Sequence, residues 1–105
     1  MTKEYEIGIN LIKKVHKELQ DLLEVQDKLT ARRIINAIIN PITAAAYQIG
    51  VGNGPNKEEI RQTLLRLVKE MRDLSDINGI KEDVKKLFAL MEDIEKATVE
   101  GKEGA

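Results

Sequence analysis

Apolar residues recur along the chain at alternating steps of three and four, the spacing that lines one stripe of an α-helix. Four segments carry this pattern. From about residue 4 to 28 the stripe reads Tyr5, Gly8, Ile12, Val15, Leu19, Leu22 and Gln26, running on to Leu29. Over 31–49 it reads Ile35, Ile38, Ile42, Ala45 and Ile49, widened by Ile34, Ile39 and Ala46. Over 57–74 it runs Ile60, Leu64, Leu67, Met71 and Leu74, and over 80–98 it runs Ile80, Val84, Leu87, Met91 and Ile94, widened by Phe88 and Leu90. No window alternates with period two, so no sheet is predicted. The 3.5-residue period suits seams that pack side by side at shallow angles, and the connections are short. The predicted fold is therefore all-α: a single-domain antiparallel up-down-up-down four-helix bundle over 1–98, followed by a flexible tail over 99–105.

The junctions carry their own chemistry. Thr30 is the expected N-cap of the second helix. Gly50, Gly52 and Gly54, followed by Pro55, read as a turn able to use positive φ. Asn56 with Glu59 three residues later fits an N-cap reinforced by a capping box. Asp76, Ile77, Asn78 and Gly79 predict the last turn, which places Glu82 and Asp83 in the positive first turn of the final helix. Pro41 lies inside the second helix and predicts a kink near Ala37 and Ile38. Gly8 allows either a close backbone approach or a small void, and Gln26 is expected to reach solvent or a loop carbonyl at the end of the first seam.

Composition narrows function mainly by exclusion. The 105 residues include 17 Lys or Arg against 18 Asp or Glu, a net charge of -1, which gives no basic excess for nucleic acid or an anionic membrane. The chain has no Cys, which removes disulfides, thiolate catalysis, iron-sulfur clusters and Cys-containing zinc sites. The opening residues lack a signal-peptide core, so a cytoplasmic location is expected. The single histidine, His16, cannot build a multi-histidine metal site, and its surroundings lack the His-x-x-Lys-Gly pattern of histidine phosphotransfer bundles. One imidazole would suffice for a five-coordinate haem, but the reading assigns His16 to the edge of the first helix. The spaced glycines at 50, 52 and 54 match neither a Walker loop nor a dinucleotide fingerprint. Nearly every acid falls on an outward face beside Lys or Arg, and Ser75 is the only serine. The sequence thus predicts no enzyme, no catalytic residue, no metal and no cofactor.

The informative stretch is Ile34 to Asn56, which holds no charged residue in a chain that is 33% charged. At about 100° per residue, Asn36, Asn40, Thr43 and Tyr47 share one stripe, roughly 140° from the isoleucine stripe of the same helix. A solvated helix face normally carries Lys and Glu, whereas a contact face is depleted in both and enriched in aromatic residues. These four residues are therefore the candidate interaction face, meeting a protein partner or a second copy. The run Ile35-Asn36-Ala37-Ile38-Ile39-Asn40 with Ala46-Tyr47 resembles one helix of the bacteriocin immunity proteins, which are also antiparallel four-helix bundles. The likeness covers that helix alone and carries no function over. Two alternatives remain open on sequence grounds. The even seams fit a stand-alone scaffold or a designed bundle with no natural activity. Tyr5, Gly8, Ala45, Ala46, Ile49 and Thr63 form a candidate pocket for a small apolar ligand between the first two helices.

Overall fold

Helices form here wherever a seam recurs, and they stop where a side chain or a strained backbone offers the peptide groups another arrangement. The computed structural model describes the backbone of residues 1–104 and the side chains of residues 1–96. Among the described residues there are five helices and no strand: α1 (Lys3–Lys14), α2 (His16–Leu22), α3 (Lys28–Val51), α4 (Lys57–Asp73) and α5 (Ile77–Gly104). The all-α class is as the periodicity predicts. The helix count is not four, because the first segment breaks at Val15, whose backbone sits at φ -105 and ψ 17 and whose N–H bonds to Ile12 O at 3.1 Å. The seam survives the break: Tyr5, Gly8, Ile12, Val15, Leu19 and Leu22 are all buried.

Beyond Leu22 the expected helix fails. Asp27 has extended backbone, and its carboxylate accepts hydrogen bonds from the Thr30 amide at 2.8 Å and the Thr30 hydroxyl at 2.9 Å. Asp27, not Thr30, is thus the N-cap of α3, and these bonds hold its carboxyl below the ordinary carboxylate range. Starting α3 at Lys28 turns Leu29 outward, Gln26 is exposed as well, and Val25 takes the buried place instead.

The later junctions also differ in detail. Asn56 is in the left-handed region at φ 56 and makes no side-chain cap, so the capping box does not form. Leu74, at φ 45, ends α4 in the same region, with its N–H on Glu70 O at 2.7 Å. Asp76 accepts from the Asn78 amide at 3.0 Å and starts α5 at Ile77, leaving Glu82 and Asp83 past the first turn. No described glycine has positive φ. Gly52 and Gly54 serve close approach: an added Cβ would stand 2.6 Å from Tyr5 N at Gly52 and 2.7 Å from the Tyr5 ring at Gly54. α3 continues through Pro41 as one helix. Of the segment read as a tail, 99–105, the backbone of 99–104 forms the end of α5, while its side chains and residue 105 lie outside the described residues.

α3 is the central element. It packs against α1 on one side and α4 on the other, α5 packs on α4, and α2 touches both α3 and α5. Ile35, Ile38, Ile42, Ala45 and Ile49 bury its inner face against the seams of its neighbours. One end is tied by Thr2, whose N–H donates to Asn53 O at 2.9 Å and whose hydroxyl accepts from Asn53 N at 2.8 Å. Beside it the Tyr5 hydroxyl donates to Pro55 O, and burial pushes that phenol up to about 12. At the other end Lys81 Nζ donates to Val25 O at 2.7 Å.

Candidate interaction face

With its inner face spent on α1 and α4, α3 presents to solvent a second side that is uncharged from Ile34 onward. Asn36, Asn40, Thr43 and Tyr47 are all exposed there, Tyr47 by 67%. The Thr43 hydroxyl donates to Ile39 O at 2.7 Å, which satisfies it within the helix. The structure adds residues that the pattern alone misses. Leu29 is 65% exposed and Val51 56% exposed, and both lie within about 60° of the stripe's centre. Leu29 is readable only once the helix is known to start at Lys28, because the earlier pattern places it in the core. The exposed side of α3 thus runs Leu29, Arg33, Asn36, Asn40, Thr43, Tyr47, a second seam with steps of four and three set against the isoleucine seam.

At the C-terminal end of this face a groove of about 410 Å³ opens between α3 and α4. Its lining includes Tyr47, Gly50, Val51, Arg61 and Leu65. Leu65 is 47% exposed, and Arg61 is held at the rim by Glu58 at 2.8 Å. The face therefore carries an exposed leucine at one end and an open apolar groove at the other.

The residues of the candidate pocket behave differently. Tyr5, Gly8, Ala45, Ala46, Ile49 and Thr63 are all buried. A Cβ placed on Gly8 would stand 2.5 Å from Ile49 Cγ1 and 3.1 Å from Ala45 O, so the small residues there bring α1 and α3 together. Thr63 donates to Glu59 O at 2.7 Å on α4.

His16 is exposed and tilts against Phe88 with ring centroids 4.6 Å apart, at the edge of a groove of about 430 Å³ between α1 and α5. Charges of both signs, Lys13, Lys85, Glu92 and Glu95, surround it, with Lys13 and Glu95 3.8 Å apart. The carboxylates of Glu70 and Asp83 are exceptions to the outward placement expected of nearly every acid. Asp83 is 8% exposed and accepts from Arg66 Nε at 3.0 Å. Glu70 Oε1 is buried without a hydrogen-bond partner. Burial first, and then the adjacent Asp83, push the Glu70 carboxyl up to about 7. No group of three or more His, Cys, Asp or Glu among the described residues is arranged to hold a metal ion.

α3 is long and apolar enough to cross a membrane by length and composition, although its seam is occupied by neighbouring helices. Comparison with protein-family models, with curated proteins and with solved structures finds no match.

Proposed function

We propose that the chain is a non-catalytic helical module that works through protein contact on the outward face of α3, in the first place with a copy of itself. In this reading α1 and α2 act as one rod bent at Val15, so that four rods run up, down, up and down. The observation that carries the proposal is the exposure of Leu29, Tyr47 and Val51 on the side of α3 that lacks charge from Ile34 onward. Exposed apolar residues scattered singly need no explanation, but a run of them along one neutral helix face marks a contact surface. Two asparagines and a threonine along the same stripe suit a protein surface, which can pair amides, better than lipid, which cannot. A self-contact is favoured because a twofold interface sets a surface against its own copy, where any charge near the axis meets its like. The stretch from Ile34 to Asn56 has none.

The test is solution mass across a hundredfold concentration range, for the wild type and for Asn40→Lys with Thr43→Lys, which put positive charge on a face that already carries Arg33. Both positions are exposed, so helical content and the melting temperature at high dilution should hold while association is lost. Association that survives both substitutions would place the contact elsewhere on the molecule.

A further inference from the structure

We infer that a second copy of this chain lies antiparallel across α3 about a twofold axis between Asn36 and Asn40, seating Leu29 of each copy in the other's groove at Tyr47, Val51 and Leu65. This rests on the reading of the outward side of α3 as a contact face and adds the orientation, the register and the two anchoring contacts. The exposed seam has the coiled-coil step, four then three, over Leu29, Arg33, Asn36, Asn40, Thr43 and Tyr47. When two such helices run antiparallel, residues at equal height have numbers with a constant sum. A sum of 76 sets Leu29 against Tyr47, Arg33 against Thr43 and Asn36 against Asn40, so that every seam residue meets another seam residue. Leu29 and Tyr47 are 18 positions apart, about 27 Å along the helix, so the twofold axis satisfies both anchoring contacts at once.

The other registers do worse on the same face. A parallel pair puts Arg33 on Arg33 and leaves both grooves empty. Sliding one helix by a heptad toward a sum of 83 carries Leu29 past the partner's Val51, where α3 ends. Sliding it the other way, to a sum of 69, carries Tyr47 and the groove past the partner's Lys28, where α3 begins. Only the central register uses the exposed leucine, the groove and the amides together. The amides add specificity, because each asparagine both donates and accepts and a displaced register would leave them mismatched. One helix pair gives an interface at the low end of specific sizes, below about 1,200 Å² in total, so the association is weak and concentration-dependent.

The absence of cysteine makes the register directly readable. Arg33→Cys and Thr43→Cys are both exposed, and the two introduced thiols face each other only between copies in this register. Oxidising an equimolar mixture should give a disulfide-linked dimer in at least tenfold greater yield than either variant alone, because identical thiols would be ten residues, about 15 Å, out of step. Asn36→Cys mixed with Asn40→Cys should also link best as a mixture, with a smaller excess over either variant alone, because identical thiols there are only four residues, about 6 Å, out of step. Cross-linking of each variant alone, as well as of the mixture, overturns the antiparallel register. So does a mixture that stays unlinked while the same reduced variants still show dimer mass, and in that case the self-contact itself stands. A wild type that remains monomeric over the whole concentration range overturns the self-contact and the register together.

Discussion

At Gly8 the side chain that is missing does the structural work. Alanine there would gain up to about 1 kcal/mol of helix propensity. Its Cβ would also lie 2.5 Å from Ile49 Cγ1 and 3.1 Å from the Ala45 carbonyl, and the second of these is backbone that cannot swing away. Overpacking of a filled core costs about 1–3 kcal/mol, and the steric term is expected to win. Gly8→Ala should therefore lower the unfolding free energy in urea, and Gly8→Leu should lower it further. A more stable Gly8→Leu would reveal the void that the sequence alone leaves open. The same principle governs Gly52 and Gly54, which let the Tyr5 backbone and ring close against the α3–α4 connection. Residue spacing identifies such glycines, but only the facing element decides between contact and cavity.

The seams were legible at the element scale because burial on a helix has one period: from Ile12 through Ile94 the residues that the spacing assigns to a core are buried, with Ile34, Ile39, Phe88 and Met91 partly so and Gln26 and Leu29, beside the misplaced junction, exposed. The junctions were not, because they depend on hydrogen bonds between a few atoms. Lys14-Val15-His16 contains neither glycine nor proline, so nothing in its composition announces the break. Asp27 and Thr30 are both good N-caps, and the pair bonds in the order that starts α3 three residues earlier than Thr30 would. Between α4 and α5 the missed feature is Glu70, set against Asp83 and Asp76 with Arg66 alongside. Its folded carboxyl titrates near 7, above its ordinary 4.5, so the folded chain keeps a proton that the unfolded chain has released between those values. The resulting stability is complete below the ordinary value and is lost as pH rises through about 7. Thermal melts from pH 4.5 to 8 should show Tm declining across that window, and Glu70→Gln should flatten the decline. An equal decline in the variant would assign it to another group.

For the whole molecule, the contact face was partly written in the sequence. The charge gap and the stripe Asn36, Asn40, Thr43, Tyr47 are visible without coordinates, whereas Leu29 and the groove at Val51 and Leu65 depend on where α3 begins and how α4 packs beside it. Leu29 also separates folding from association. It is 65% exposed in the single chain, so Leu29→Ala removes little packing and should leave the dilute Tm within the narrow range usual for surface substitutions. In the paired chain the same leucine is an anchor. Association stabilises the folded state by mass action, about 1.4 kcal/mol when the free chain is at ten times Kd, which for a domain of this size is several degrees in Tm. The wild-type Tm should thus climb with protein concentration, while Leu29→Ala should give the same dilute Tm and a flat profile. A lower Tm for Leu29→Ala at high dilution would mean that Leu29 supports the fold of the single chain. A climb equal to that of the wild type would mean that the copies meet on a surface without it.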